Sequence, residues 1–131
     1  MSLLPEADVR YLEGLGHEWT ETLEQGHVCV VIKNWHLPPG YRPEAVDLLV
    51  RLPPGYPDTA PDMVWWRPDV VVASTGQPPP ASDVRETYLE LSWQRLSRHL
   101  DAGAWVSGTD TLESFLAVIR KDLHLEQQEA A

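Results

Sequence analysis

The stretch Arg51–Trp66, RLPPGYPDTAPDMVWW, constrains this chain more than any other. Pro53, Pro54, Pro57 and Pro61 fall inside it, with strand-like apolar residues before and after. Proline fixes its own φ and pushes the preceding residue towards extended geometry. Pro57 and Pro61 bracket YPDTAP and force turns between two strands. Asp58 suits such a turn because its carboxylate can bond nearby backbone. Tyr56 can lay its ring over the turn and send its hydroxyl to a backbone group. A rigid corner is expected here, not a flexible linker.

The rest of the chain arranges itself around that corner. LPEADVRYLEGLG has a proline at a first helical turn and closes on glycines, which predicts a short helix from Glu6 to about Leu15. HEWTETLEQG predicts a strand ending in a Gln25-Gly26 turn. HVCVVIKNW is β-branched and apolar on both faces, as a covered central strand should be. After the loop HLPPGYRPE, Val46, Leu48, Val50 and Leu52 share one strand face, and Asp47 and Arg51 share the other. A surface ion pair is expected of those last two. DMVWW follows the corner as a fourth strand, completing an antiparallel meander.

RPDVVVASTGQPPPASDV is irregular, because Pro78–Pro80 fits neither a helix nor a paired strand. RETYLELSWQRLSRHL has Leu89, Trp93, Leu96 and Leu100 at helical spacing, which predicts a helix. In the last segment Leu112, Phe115, Leu116, Ile119 and Leu123 form one apolar stripe. Asp110 is expected to cap that helix, with Glu113 completing a capping box. Residues 125–131 read as a polar, frayed tail. The expected core is Val28, Val30, Ile32, Val46, Leu48, Val50, Met63, Leu112, Phe115, Leu116 and Ile119. The fold class is α+β: an N-terminal helix, a four-stranded antiparallel meander, and C-terminal helices packed on one face. One domain is expected over residues 1–124.

Charge and composition exclude several function classes. The 131 residues carry a formal net charge of -10. Nucleic-acid binders need a basic footprint, so neither nucleic acid nor an anionic membrane is an expected partner. No stretch approaches a membrane span, and the N-terminus does not read as a signal peptide. One cysteine, Cys29, allows no internal disulfide and no thiolate zinc cluster, which fits a reducing cytoplasm. No two histidines stand at metal-ligand spacing on one helix, so no metal or cofactor is expected.

The ordered features resemble a known family. A Tyr-Pro-x-x-x-Pro turn, here Tyr56, Pro57 and Pro61, between the third and fourth strands of a helix-first meander is similar to the ubiquitin-conjugating (E2, UBC) fold. It is also similar to the fold's non-catalytic RWD relatives. AWVSGTDTLESFLAVI, carrying Trp105, resembles the tryptophan loop and helix that follow the E2 active site. With LPEADVRYLEGLG, LPPGY and LPPGYPDTAPDM, the likeness narrows to the prokaryotic E2-like family E and spans nearly the whole chain. It implies a bacterial pathway with two partners, a ubiquitin-like protein and an E1-type adenylating enzyme.

The resemblance implies a thiolate nucleophile about eight residues before the tryptophan, after a His-Pro-Asn motif. Here that position holds Ser97, and no HPN is present. Serine would give an oxyester, poorly reactive to amines, and it is a poor nucleophile without an activating base. His99 stands two residues on, and side chains so spaced on a helix do not face each other. Cys29, among valines on a predicted strand, reads as buried and inert. The catalytic set is therefore empty, and the chain reads as an E2-like protein that is not an enzyme. It would bind a ubiquitin-like protein, an E1-type enzyme, or both. Two alternatives stand beside it: a working conjugating enzyme that uses Cys29, and an RWD-like adaptor outside ubiquitin-like chemistry. Trp65 and Trp66 point to opposite faces of one strand. One of them, together with Trp35, is a candidate partner surface. The first helix offers Glu6, Asp8 and Glu13 against Arg10, an acidic face where E2 proteins commonly meet the E1 through basic residues.

Overall fold

A computed structural model describes residues 3–97 and 104–130. Helix α1 spans Glu6–Gly14. Strands follow at β1 (Trp19–Glu24), β2 (His27–His36), β3 (Tyr41–Arg42), β4 (Ala45–Leu52), β5 (Val64–Arg67), β6 (Val71–Val72), β7 (Val84–Tyr88) and β8 (Leu91–Leu96). Helix α2 closes the chain at Leu112–Ala130. Six strands form one antiparallel sheet in the order β1-β2-β4-β5-β8-β7, and β3 and β6 pair separately. The fold is α+β and consistent with a UBC-like architecture.

Local sequence explains the first half. Gln25 (φ 52°) and Gly26 (φ 80°) make the two-residue turn between β1 and β2. Left-handed backbone at both positions matches the twist of the flanking strands. Val30 and Ile32 of β2 enter one core, while Cys29 and Val31 enter another on the opposite face. The strand is therefore covered on both sides, as its composition requires. Val46, Leu48, Val50 and Leu52 of β4 all face the first core. Asp47 does not pair with Arg51; it takes Lys33 at 3.0 Å instead. Val28 and Met63, expected in the core, are only partly buried, and Met63 packs on the second cluster.

The expected helix over residues 85–100 is instead the β7–β8 hairpin. Leu89 and Glu90 form its turn with φ of 54° and 65°. Tertiary pairing decides the outcome. Without β8, β5 would be a sheet edge with unpaired backbone groups. β8 pairs with it through Val64↔Leu96, Trp65↔Arg95 and Trp66↔Gln94. The apolar spacing fits both periods, because Trp93 serves the second cluster and Leu96 the first. Leu100 lies outside the described residues. The meander is thus extended from four strands to six, and α2 is the one helix after the sheet among the described residues.

The hairpin also curls over the sheet. Leu89 N–H donates to the Glu24 carboxylate of β1 at 2.9 Å. Arg51 of β4 stacks on Tyr88 at 3.9 Å, and Tyr88 meets the Trp65 ring edge-on at 5.2 Å. Cys29, Val31, Leu49, Trp65 and Trp93 are sealed beneath, with Met63, Tyr88 and Leu89 at the rim. Each such side chain contributes about 1.5–3 kcal/mol through burial.

Helix α2 covers the other face through Leu112, Phe115, Leu116, Ile119 and Leu123, all buried. Its cap differs from expectation. Thr111 and Ser114 form the reciprocal pair: Ser114 N–H donates to Thr111 Oγ1 at 3.3 Å, and Thr111 N–H to Ser114 Oγ at 2.8 Å. Asp110 instead accepts from Val106 N–H at 2.6 Å. The helix continues through residues 125–130, which were expected as a frayed tail.

Candidate functional site

The proline corner is the centre of the candidate site. Tyr56 N–H donates to Pro53 C=O at 2.9 Å, and Thr59 N–H to Gly55 C=O at 3.0 Å. A Cβ on Gly55 would stand 2.5 Å from Thr59 Oγ1, so any other residue there would make Thr59 shift. The Tyr56–Pro57 peptide is cis. Pro61 is buried and Pro57 half-buried.

The Tyr56 hydroxyl meets backbone at the Leu112 N–H, and its own proton goes to a side chain. It donates to Asp8 Oδ2 of α1 at 2.5 Å. Asp8 Oδ1 accepts from Leu112 N–H, the first residue of α2, at 3.1 Å. Asp8 is 1% exposed. It therefore belongs to the interior and not to the acidic outer face expected of α1. A carboxylate at a helix N-terminus is stabilised both by the free N–H group and by the helix dipole. Burial, then the Asp8 hydrogen bond and charge, push the Tyr56 phenol well above its ordinary range.

Trp105 completes the corner. Its indole N–H donates to Pro57 C=O at 2.8 Å, and its ring lies 6.0 Å from that of Tyr56. Ser107 hydroxyl donates to Asp58. Asp8, Tyr56, Pro57 and Trp105 thus join α1, the corner, the tryptophan loop and α2. Sequence reasoning found three of the four. Asp8 was missed, although its spacing from buried Leu12, one helical turn on, places both on one face.

The candidate nucleophiles are elsewhere and apart. Cys29 is 0% exposed in the middle of the sheet, opposite Arg51 in the β2–β4 ladder. Burial pushes its thiol up; the neighbouring Arg51 pulls it down, and the upward effect prevails. Ser97 follows β8 and donates its hydroxyl to the Met63 sulfur at 3.7 Å. Three strand spacings, roughly 14 Å, separate the Cys29 and Ser97 strands. His99 lies outside the described residues.

Neither Trp35 nor either member of the Trp65–Trp66 pair, from which a partner surface was expected, is on the surface. Trp35 and Trp65 are each 4% exposed and Trp66 0%. Trp66 N–H donates to Gln94 Oε1 at 2.5 Å, and Trp65 N–H to Glu86 at 3.0 Å. Arg120 lies over Trp35 at 4.6 Å. Burial follows because both sheet faces are roofed, one by α2 and one by the hairpin. Gln94 is a second buried polar hub that the sequence did not disclose. It also accepts from Val70 N–H at 2.7 Å and donates to Ser82 C=O at 3.1 Å, holding the 68–83 loop against the sheet. Among the described residues no group of three or more His, Cys, Asp and Glu side chains is placed to hold a metal ion. None of their helices is long and apolar enough to cross a membrane.

Helix, antiparallel sheet, tyrosine-proline corner and tryptophan loop define an α+β protein built like a ubiquitin-conjugating domain. The family model described as prokaryotic E2 family E matches residues 4–126, and the chain belongs to that family. No curated protein and no solved structure matches it significantly. It is thus an E2-like protein of a bacterial ubiquitin-like pathway.

Proposed function

We propose that this E2-like chain acts without catalysis, in the bacterial cytoplasm. It holds or presents a ubiquitin-like protein, or scaffolds an E1-type adenylating enzyme, and it carries no thioester. The observation that carries this reading is the burial of Cys29, the single thiol of the chain. Thioester formation needs a thiolate to attack the activated carbonyl of a flexible chain end. Cys29 offers neither access nor a lowered pKa, since burial disfavours its anion. Ser97, at the position where the family's pattern puts the nucleophile, would give an ester of low reactivity towards amines.

With the three tryptophans buried, docking falls to other surfaces. The exposed side of α1 carries Glu6 and Glu13, and Arg10 is already paired with Glu6. An E1-type partner meeting that side would meet net negative charge.

The test combines the protein with its cognate E1-type enzyme, ATP and ubiquitin-like protein. Non-reducing electrophoresis then looks for an adduct, and size exclusion or calorimetry looks for a complex. A complex without a thiol-sensitive adduct is expected. A reducible band that disappears in Cys29→Ala would overturn the non-catalytic reading. Failure to bind either partner would overturn the partner assignment and leave an adaptor outside this chemistry.

A further inference from the structure

The curl of the β7–β8 hairpin leaves a cavity of about 200 Å³ at one end of the second cluster. Arg51, Asp62, Met63, Trp65, Glu86 and Tyr88 are among its walls. Arg51 is the unusual member. Its Nε and Nη2 are buried and have no hydrogen-bond partner among the described residues. Its guanidinium carbon lies over the Tyr88 ring, 3.9 Å from the centroid, in a cation–π contact. Directly across the ladder stands the Cys29 thiol, which hydrogen-bonds the Arg51 side chain but supplies no negative charge while protonated and leaves Nε and Nη2 without an acceptor. Buried donors without acceptors are costly, and an Arg fork matches a carboxylate in geometry and charge.

The acidic residues nearby are already engaged. Glu86 accepts from Trp65 N–H at 3.0 Å and lies 3.5 Å from Arg95. Asp62 also has partners. Their charge disfavours a dianion such as phosphate but leaves a single carboxylate tolerable. Apart from the His27 imidazole, the remaining wall is aromatic, aliphatic and thioether, from Trp65, Tyr88, Pro53, Ala60 and Met63, and suits a flat apolar body.

We propose that this cavity is a binding site for a small organic monocarboxylate with a flat apolar body. The carboxylate pairs with Arg51, and the body lies between Tyr88, Trp65 and Met63. The volume of about 200 Å³ suits a free small molecule, since drug-sized ligands need about 300 Å³ or more.

The test titrates ¹⁵N-labelled protein with benzoate at neutral pH and constant ionic strength. The readout is the indole N–H signal of Trp65, assigned with Trp65→Phe. Saturable movement by benzoate is expected, with acetate, benzylamine and inorganic phosphate each weaker by about tenfold or more. Arg51→Met should weaken benzoate binding by a similar factor, and Arg51→Lys should retain part of it. If Arg51→Met does not fold, as judged by circular dichroism, the wild-type series and Arg51→Lys decide. No saturable shift with benzoate overturns the proposal. So does equal binding of benzylamine, acetate or phosphate, or undiminished binding by Arg51→Met.

Discussion

Asp8 shows how one side chain can join parts of the chain far apart in sequence. It accepts from Tyr56 and from Leu112, at separations of 48 and 104 residues. Hydrogen bonds to a charged group contribute about 1.5–3 kcal/mol each. The consequence for Tyr56 can be measured. Its phenol is pushed up by burial first and by Asp8 second, so the folded state favours the protonated form. That stability is complete below the ordinary tyrosine value of 10.0 and falls as pH rises from there towards the higher folded value. Urea unfolding across the alkaline range should therefore show a steeper loss for wild type than for Tyr56→Phe. Equal slopes would mean that Tyr56 is not the responsible group. The place of Asp8, one helical turn from Leu12, is the one local sign of this role. An acidic residue in a first helical turn reads as a surface charge until the corner and α2 are seen to close over it.

At the scale of elements, the β7–β8 hairpin is the instructive case. Leu89, Trp93 and Leu96 fit a helical period, and the same residues fit strands once two different cores are available to receive them. The turn itself is suboptimal. Glu90 adopts φ 65° without being glycine, and left-handed backbone costs an ordinary residue about 1 kcal/mol. Glu90→Gly should stabilise the protein by up to about 0.5 kcal/mol, the residual after glycine's larger unfolded-state entropy. Chemical denaturation checks this, and a loss of stability would indicate that the Glu90 side chain makes a contribution of its own. The first hairpin already uses the favourable device, with Gly26 at its second turn position. That is why its turn was legible from sequence and the second was not.

For the whole molecule, the decisive feature is that the sheet is covered on both faces. One roof is helical and was foreseen in the stripe from Leu112 to Leu123. The other is the chain's own hairpin, tied at its tip to β1 through Glu24. This second roof seals Cys29, so its reactivity should report opening of the fold. With a thiol reagent such as a disulfide dye, native protein should react at least about 100-fold more slowly than urea-unfolded protein. The rate should climb with denaturant below the unfolding midpoint. Rapid stoichiometric labelling of native protein would contradict the closed roof, and the non-catalytic reading with it.

The sequence by itself determined the elements whose signals are local: the proline corner, the two-face apolar strand β2, the first turn, the α2 stripe, and the family that their order identifies. Each rests on dihedral restriction or on a periodicity that a few neighbouring residues complete. Tertiary structure alone decided the rest. A period shared by helix and strand is resolved by which sheet edge needs pairing. The burial of Trp35 and Trp65 depends on roofs folded from other parts of the chain. The partners of Asp8, Gln94 and Arg51 are set by contacts at long separation, which no local pattern encodes.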